Sequence, residues 1–146
     1  MPRENSFGIY HDLHIAAATE AVFQAVCLPE KLEQWWPLRC TGRPEAGAVY
    51  NFFFTPEFDW YGVVSEMVPD KIFEIKMTKA DTDWDPTRFR FELEPNASGT
   101  LLRFSHIHWM QRNAHFRTAS YCWAILLHGL KQYVEKGIIL PFEERS

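Results

Sequence analysis

Residues 113–137 constrain the fold more than any other part of the sequence. Apolar residues recur there at three- and four-residue steps, which is the period of an amphipathic helix. The apolar positions are Phe116, Ala119, Cys122, Trp123, Leu126, Leu127, Leu130, Tyr133 and Val134. Asn113 is a favourable N-cap, and Gly137 is a favourable left-handed residue at the C-terminal end. Such a helix extends roughly 33 Å, and its apolar face requires a wide apolar partner.

Alternating apolar residues in the rest of the chain predict strands. The predicted strands cover residues 7–15, 49–55, 60–68, 71–77, 87–94 and 100–110. Between the first two, Thr19 can cap a short helix, and Pro29 begins a further helical turn that ends before Pro37. Turn residues connect the successive strands after residue 49, so antiparallel hairpins are the expected connectivity.

Length, charge and composition limit the function classes. A chain of 146 residues with 16% aromatic residues predicts one domain, residues 1–146, with a core rich in aromatic rings. The net charge of −4 gives no broad basic field, which argues against a nucleic-acid partner. No apolar run is long enough for membrane insertion, and residues 1–5 do not resemble a signal peptide. The three cysteines lack paired spacing, which favours free thiols and a cytoplasmic location.

The order of elements predicts an α+β fold. One strand, two short helices, about six further strands and a long C-terminal helix are expected in that order. A curved antiparallel sheet of about six to seven strands, wrapped on the C-terminal helix, buries the apolar faces of both.

Several short segments resemble a known family. They are AVF at 21–23, LEQWWP at 32–37, EAG at 45–47, GVVSE at 62–66, GTL at 99–101, and Trp123 followed by LKQY at 130–133. In this order they resemble the START-like (SRPBCC) superfamily of helix-grip proteins, which includes polyketide cyclases and lipid-transfer domains. Within it they are most similar to the subfamily related to the activator of the heat-shock chaperone ATPase. The resemblance implies a cavity between the sheet and the C-terminal helix, bounded by the short helices near Trp36.

The inward residues around that implied cavity are the candidate ligand-binding set. They are Trp36, Tyr50, Phe52, Phe54, Phe73, Ile75, Met77, Phe89, Phe91, Phe104, His106, His108, Trp123 and Leu127. The alternative is that these side chains simply fill the core, because cores and ligand pockets use the same apolar chemistry. Of the adjacent Trp35 and Trp36, one is expected in the core and one at the cavity rim or in an oligomer contact.

The two histidines of the last strand have two interpretations. His106 and His108 are predicted to share a strand face with Phe104. Burying an unpartnered imidazole costs about 1–3 kcal/mol, so each needs a hydrogen-bond partner. They either bind the polar head of a ligand, or pair with tyrosine or backbone groups, or lie at the open end of the strand. Two histidines do not complete a zinc site, and no further ligands stand at suitable spacing, so neither a metal nor a cofactor is predicted.

Catalytic motifs do not stand out. The sequence has no nucleophile elbow, phosphate loop or dinucleotide fingerprint, and Cys122 on the apolar helix face indicates a packed thiol. The leading prediction is therefore binding of a small hydrophobic or aromatic molecule, and the sequence does not decide whether a reaction is catalysed. Two alternatives stay open: a cochaperone or stress-response interaction module, and a polyketide-cyclase-like enzyme. A homodimer and a chaperone are the open protein partners.

Overall fold

The computed structural model describes residues 6–81 and 83–145. Their elements follow the predicted order, and the α+β helix-grip fold is confirmed. The elements are β1 (Phe7–Ile15), α1 (Thr19–Cys27), α2 (Pro29–Leu32), β2 (Arg39–Thr41), β3 (Val49–Thr55), β4 (Phe58–Val68), β5 (Ile72–Lys79), β6 (Arg88–Asn96), β7 (Gly99–Trp109), α3 (Ala114–Lys136) and a 3₁₀ turn (Phe142–Glu144).

The seven strands form one antiparallel sheet in the order β1-β7-β6-β5-β4-β3-β2. The register places aromatic residues directly opposite each other in the middle of the sheet. Phe73 faces Phe91 across β5 and β6, and Phe91 faces Phe104 across β6 and β7. Cross-strand aromatic pairs of this kind stabilise a sheet and together build a continuous apolar surface.

Helix α3 covers that surface and has the predicted ends. The Asn113 side chain accepts a hydrogen bond from the Phe116 backbone N–H at 3.0 Å. Gly137 takes the left-handed conformation with a φ of 70°. The buried face of the helix consists of Ala119, Trp123, Leu126, Leu127 and Leu130. The apolar stripe that predicted the helix is therefore the stripe that packs on the sheet.

Two local predictions were wrong. Thr19 does not cap α1, because its N-cap is Ala18 and the Thr19 hydroxyl instead lies 3.1 Å from the Thr100 hydroxyl of β7. The three-residue strand β2 was not predicted, since a segment this short carries no readable alternation. It pairs with β3, where Cys40 lies opposite Phe52.

The alternation of β7 changes phase at His108, two residues before the predicted end of the strand at residue 110. His108 has a φ of 71°, which is unusual for a residue other than glycine, and it shifts the phase of the strand. Trp109 is consequently fully buried and His108 only half-buried. His106 and His108 therefore do not have the equivalent positions that strict alternation predicted.

All six tryptophans belong to one chain of ring contacts. Neighbouring ring centroids are 4.7–6.2 Å apart. In order of contact the chain runs Trp35, Trp36, Trp123 and Trp84, and Trp84 also contacts both Trp60 and Trp109. This tryptophan cluster connects the short helices to α3, β4 and β7.

The arginines of β6 pair with a buried carboxylate of β5. Arg88 and Arg90 each donate to the Glu74 carboxylate of β5 at 3.1 Å. Glu74 is buried, and burial alone would disfavour its charge. Hydrogen bonds from Ser65, Arg90 and Arg88 outweigh that burial and keep the pKa of the Glu74 carboxyl below its usual value.

No helix in the described part of the chain is both long enough and apolar enough to cross a membrane.

Candidate functional site

A cavity of about 400 Å³ lies beside the N-terminal half of α3. The β3–β4 hairpin forms one wall, α3 forms another, and the segment after α3 closes the side near α2. The lining residues are Trp36, Phe54, Thr55, Phe58, Trp60, Asp81, Trp84, Ala119, Cys122, Trp123, Leu126, Phe142, Glu143 and Arg145. The cavity thus occupies one end of the interface between sheet and helix, and does not run along its whole length.

Five of the lining side chains form a closed belt of rings. We call Trp36, Phe54, Trp60, Trp84 and Trp123 the aromatic belt. Successive centroid distances are 5.7, 5.0, 4.7 and 6.0 Å, and 4.9 Å from Trp123 back to Trp36. Aromatic walls of this kind suit the flat apolar surface of a small organic molecule.

The segment after α3 is held in place by one arginine. Arg145 Nη1 donates to the backbone carbonyls of Glu33, Trp36 and Pro37 at 2.7, 3.4 and 3.2 Å. Its Nε donates to the Leu140 carbonyl at 3.1 Å. Burial lowers the pKa of Arg145, and the nearby Glu143 carboxylate opposes that effect. The arginine therefore joins the last part of the cavity wall to the end of α2.

Behind the belt, His106 lies in a complete hydrogen-bond chain. Trp123 Nε1 donates to His106 Nδ1 at 3.0 Å, and His106 Nε2 lies 2.8 Å from the Thr87 hydroxyl. That hydroxyl in turn donates to the Trp84 carbonyl. Because Nδ1 accepts a hydrogen bond, Nε2 carries the proton of a neutral imidazole. Burial, followed by the charge of His115, lowers the pKa of His106 to about 3.

The His106 chain connects two residues of the belt. Trp123 is on α3 and Trp84 is in the connection between β5 and β6, and both line the cavity. The Trp84 ring also stands edge-on to the imidazole, with centroids 4.4 Å apart. His106 therefore fixes two walls of the cavity from behind and has no ring nitrogen left for a ligand.

Family comparison gives this geometry a context. The family model described as activator of Hsp90 ATPase homolog 1-like protein matches residues 16–135, which is most of the chain. The chain belongs to this family. No curated protein sequence matches it significantly.

Solved structures share the fold of this chain. The solution structure of the Aha1 dimer from Colwellia psychrerythraea has a TM-score of 0.82 and 26% identity, covering 90% of this chain and 98% of that one. Protein MLL2253 from Mesorhizobium loti has a TM-score of 0.79 and 19% identity, covering 91% and 100%. DynU16, from the dynemicin biosynthetic locus, has a TM-score of 0.75 and 16% identity, covering 89% and 48%. The last two similarities show the fold alone.

In the folded structure the predicted ligand-binding residues form two groups. Trp36, Phe54 and Trp123 line the cavity, and Trp35 lies behind Trp36 in the core, as expected for that pair. The other apolar members pack against one another away from the cavity: Tyr50, Phe52, Phe73, Ile75, Met77, Phe89, Phe91, Phe104 and Leu127. For this second group and His108, ligand contact stays a prediction, whereas Trp123 and Thr87 occupy both ring nitrogens of His106.

Sequence reasoning missed most of the cavity rim. Asp81 and Trp84 lie between β5 and β6, where no periodicity signals an inward residue. Phe142 and Arg145 follow the end of α3 and were not considered. Trp60 was placed in a strand, but its face was not assigned. The one available signal was the number of tryptophans, because a loop tryptophan such as Trp84 is seldom left in solvent.

Proposed function

We propose that this protein binds a small apolar molecule, containing at least one aromatic or alicyclic ring, in the cavity bounded by the aromatic belt. The observation that carries the proposal is the belt itself. Five rings line a half-open cavity of about 400 Å³ that the protein does not fill, next to a core of buried apolar side chains. This volume is within the range of about 300–1,000 Å³ typical of small-molecule sites.

Energetics favour an apolar occupant. Contact with the belt removes apolar surface from water on both ligand and protein, and each 100 Å² so buried contributes about 2.5 kcal/mol. His106 supports this function as a positioning residue, since its neutral ring keeps Trp123 and Trp84 in fixed orientations. A rigid apolar wall loses little conformational entropy when a ligand binds.

Two alanines of α3 allow a matched test. Ala119 is buried and lines the cavity, whereas Ala124 is exposed on the same helix. Ala119→Leu adds three carbon atoms at the cavity wall, and Ala124→Leu adds them in solvent. N-phenyl-1-naphthylamine, a neutral fluorescent probe, is titrated into both variants and the unaltered protein.

We expect micromolar binding of the probe to the unaltered protein and to Ala124→Leu, and binding at least about tenfold weaker to Ala119→Leu. Thermal unfolding of each variant controls for damage to the fold. Absence of probe binding to the unaltered protein, or equal binding to both variants, would remove the proposal.

A second candidate function is a chaperone-linked one. Its support is the family description, which names an activator of the Hsp90 ATPase, and the dimeric Aha1 structure from Colwellia psychrerythraea. A homodimer and a chaperone are accordingly the protein partners that we propose for testing. Sedimentation velocity measures self-association, and an ATPase assay with a purified Hsp90-type chaperone measures stimulation. A monomer that leaves the ATPase rate unchanged would eliminate this candidate.

A polyketide-cyclase-like activity stays a third proposal, supported by the shared fold of DynU16 from a biosynthetic locus.

We also propose a reducing compartment such as the cytosol. Cys27 and Cys40 are buried free thiols, and burial, followed by neighbouring carboxylates, raises the pKa of each to about 12. Labelling with a thiol reagent should leave both unmodified in the native protein.

A further inference from the structure

We propose that the preferred occupant of the cavity is an organic cation, such as a quaternary or protonated amine attached to an apolar body. This inference rests on the proposed function and specifies the ligand class of the same site. It follows from the charges that face the cavity, taken together with the aromatic belt.

Three charged residues line the cavity: Asp81, Glu143 and Arg145. The Arg145 guanidinium already donates through Nε and Nη1 to four backbone carbonyls. The Glu143 carboxylate adds a negative charge close to it. The carbonyl oxygens and this carboxylate therefore weaken the attraction that the guanidinium offers to an anionic ligand.

Asp81 is in the opposite situation. Its carboxylate takes part in no ion pair or side-chain hydrogen bond with the described residues 6–81 and 83–145. Asp83, two positions along, is by contrast 3.0 Å from the His115 ring and is also contacted by Asn113. Of these two aspartates, the one that lines the cavity is thus the one whose carboxylate has no partner among the described residues.

The local backbone places Asp81 and Trp84 next to each other in the cavity lining. The Asp81 carbonyl accepts hydrogen bonds from the backbone N–H groups of Trp84 and Asp85, at 2.9 and 3.1 Å. These bonds close a single turn that carries both Asp81 and the Trp84 ring into the cavity lining. A negative charge and an indole therefore flank the same space.

This combination suits a cation with an apolar body. The electron-rich faces of aromatic rings attract ammonium groups, and indole does so most strongly. An unpaired carboxylate in an apolar setting adds attraction that water screens less than at an open surface. Two carboxylates against one carbonyl-bound guanidinium leave the unmatched charge of the site negative.

Three small probes test the preference for a cation separately from the proposed binding of apolar molecules. Two of them have the same shape and differ in charge, and the third is an anion. Phenyltrimethylammonium and tert-butylbenzene have the same shape and differ in a nitrogen cation replacing a neutral carbon, and benzenesulfonate supplies the negative charge. Each is titrated while the indole N–H signals of the tryptophans are followed by NMR. Asp81→Asn is compared with Asp85→Asn, which removes an equal charge from an exposed position in the same turn.

We expect phenyltrimethylammonium to bind at least about tenfold more tightly than tert-butylbenzene. Asp81→Asn should remove most of that difference and leave tert-butylbenzene binding unchanged, and Asp85→Asn should alter neither. Equal or tighter binding of tert-butylbenzene or benzenesulfonate, or a cation preference that survives in Asp81→Asn, would overturn the inference while apolar binding stands. Binding of none of the three would overturn the inference and the proposed function together.

Discussion

Trp123 Nε1 donates a hydrogen bond to His106 Nδ1 across 3.0 Å, from the middle of α3 to the centre of the sheet. One end of Trp123 thus belongs to the buried polar chain, while the residue also lines the cavity. The relationship requires a neutral imidazole, because a protonated ring would present N–H groups to the indole N–H. The shape of the cavity wall and the protonation of His106 are therefore linked.

This linkage predicts a loss of stability in acid. The pKa of His106 is about 3 in the folded protein, chiefly through burial, against an ordinary value of 6.5. Between these values the unfolded chain binds a proton that the folded chain does not. The stabilisation is thus complete above pH 6.5 and is lost as the pH falls towards 3, by up to about 1.4 kcal/mol per pH unit.

Urea unfolding between pH 7.5 and 4.5 measures that slope. His106→Gln keeps one donor and one acceptor but does not titrate, so its free energy of unfolding should vary less between pH 7 and 5. If the free energy of unfolding changes equally with pH in the two proteins, the prediction is contradicted. A constant difference in stability between them does not affect this test.

The Thr87 hydroxyl is the next member of the same chain. Thr87→Val preserves the shape of the side chain but leaves His106 Nε2 without its partner, whereas the Trp84 carbonyl keeps the hydrogen bond from the Thr87 backbone N–H. We expect a loss of about 1–3 kcal/mol in the free energy of unfolding, since the imidazole is buried. Thr78→Val is the control, because the Thr78 hydroxyl bonds to the Tyr61 carbonyl at the surface, and its loss should cost much less. Similar costs at the two sites would show that the buried chain contributes little.

A buried charge and an exposed charge of the sheet should respond differently to neutralisation. Glu74→Gln removes the carboxylate that Arg88, Arg90 and Ser65 share. We expect it to lower the free energy of unfolding by about 2 kcal/mol, because two partly buried guanidinium groups lose their common acceptor.

Glu94→Gln provides the comparison for Glu74. Glu94 forms an exposed pair with Arg103 at 3.4 Å, where both side chains are more than half exposed. Its replacement should change the free energy of unfolding by less than about 0.5 kcal/mol. A cost at Glu94 that matches the cost at Glu74 would refute the distinction between the two ion pairs.

Arg145 should control ligand affinity through the cavity wall. Arg145→Met removes the bonds to the Leu140, Glu33, Trp36 and Pro37 carbonyls, so Phe142 loses its fixed position near Phe54. We expect N-phenyl-1-naphthylamine to bind severalfold more weakly and trypsin to cleave after Lys136 more rapidly. Arg43→Met, at an exposed loop position, should change neither quantity. Unchanged binding and cleavage in Arg145→Met would exclude this role.

The fold was predictable because its signals are local. The limits of α3 follow from Asn113 and Gly137, whose caps depend on a few adjacent residues. The inward face of β3 follows from simple alternation, and Tyr50 and Phe52 are indeed buried. Where a local backbone change intervenes, as at His108, alternation gives the wrong phase for the residues that follow.

The cavity was only partly predictable because its boundary depends on distant contacts. Trp36, Phe54 and Trp123 could be proposed from their patterns, but so could Phe91, which is packed in the core. Arg145 reaches a carbonyl 112 positions earlier in the chain, at Glu33. No sequence period reports such a contact, so the lining becomes visible only once the chain is folded.

The tryptophan cluster has an optical consequence. Indoles with centroids 4.7–6.2 Å apart exchange excitation energy far faster than they emit, so the six behave as one chromophore. A molecule that quenches Trp60 at the cavity wall would therefore also dim Trp35 in the core. Ultraviolet emission from the unlabelled protein should therefore change when the proposed ligand binds, with a larger signal than the number of directly contacted rings would give.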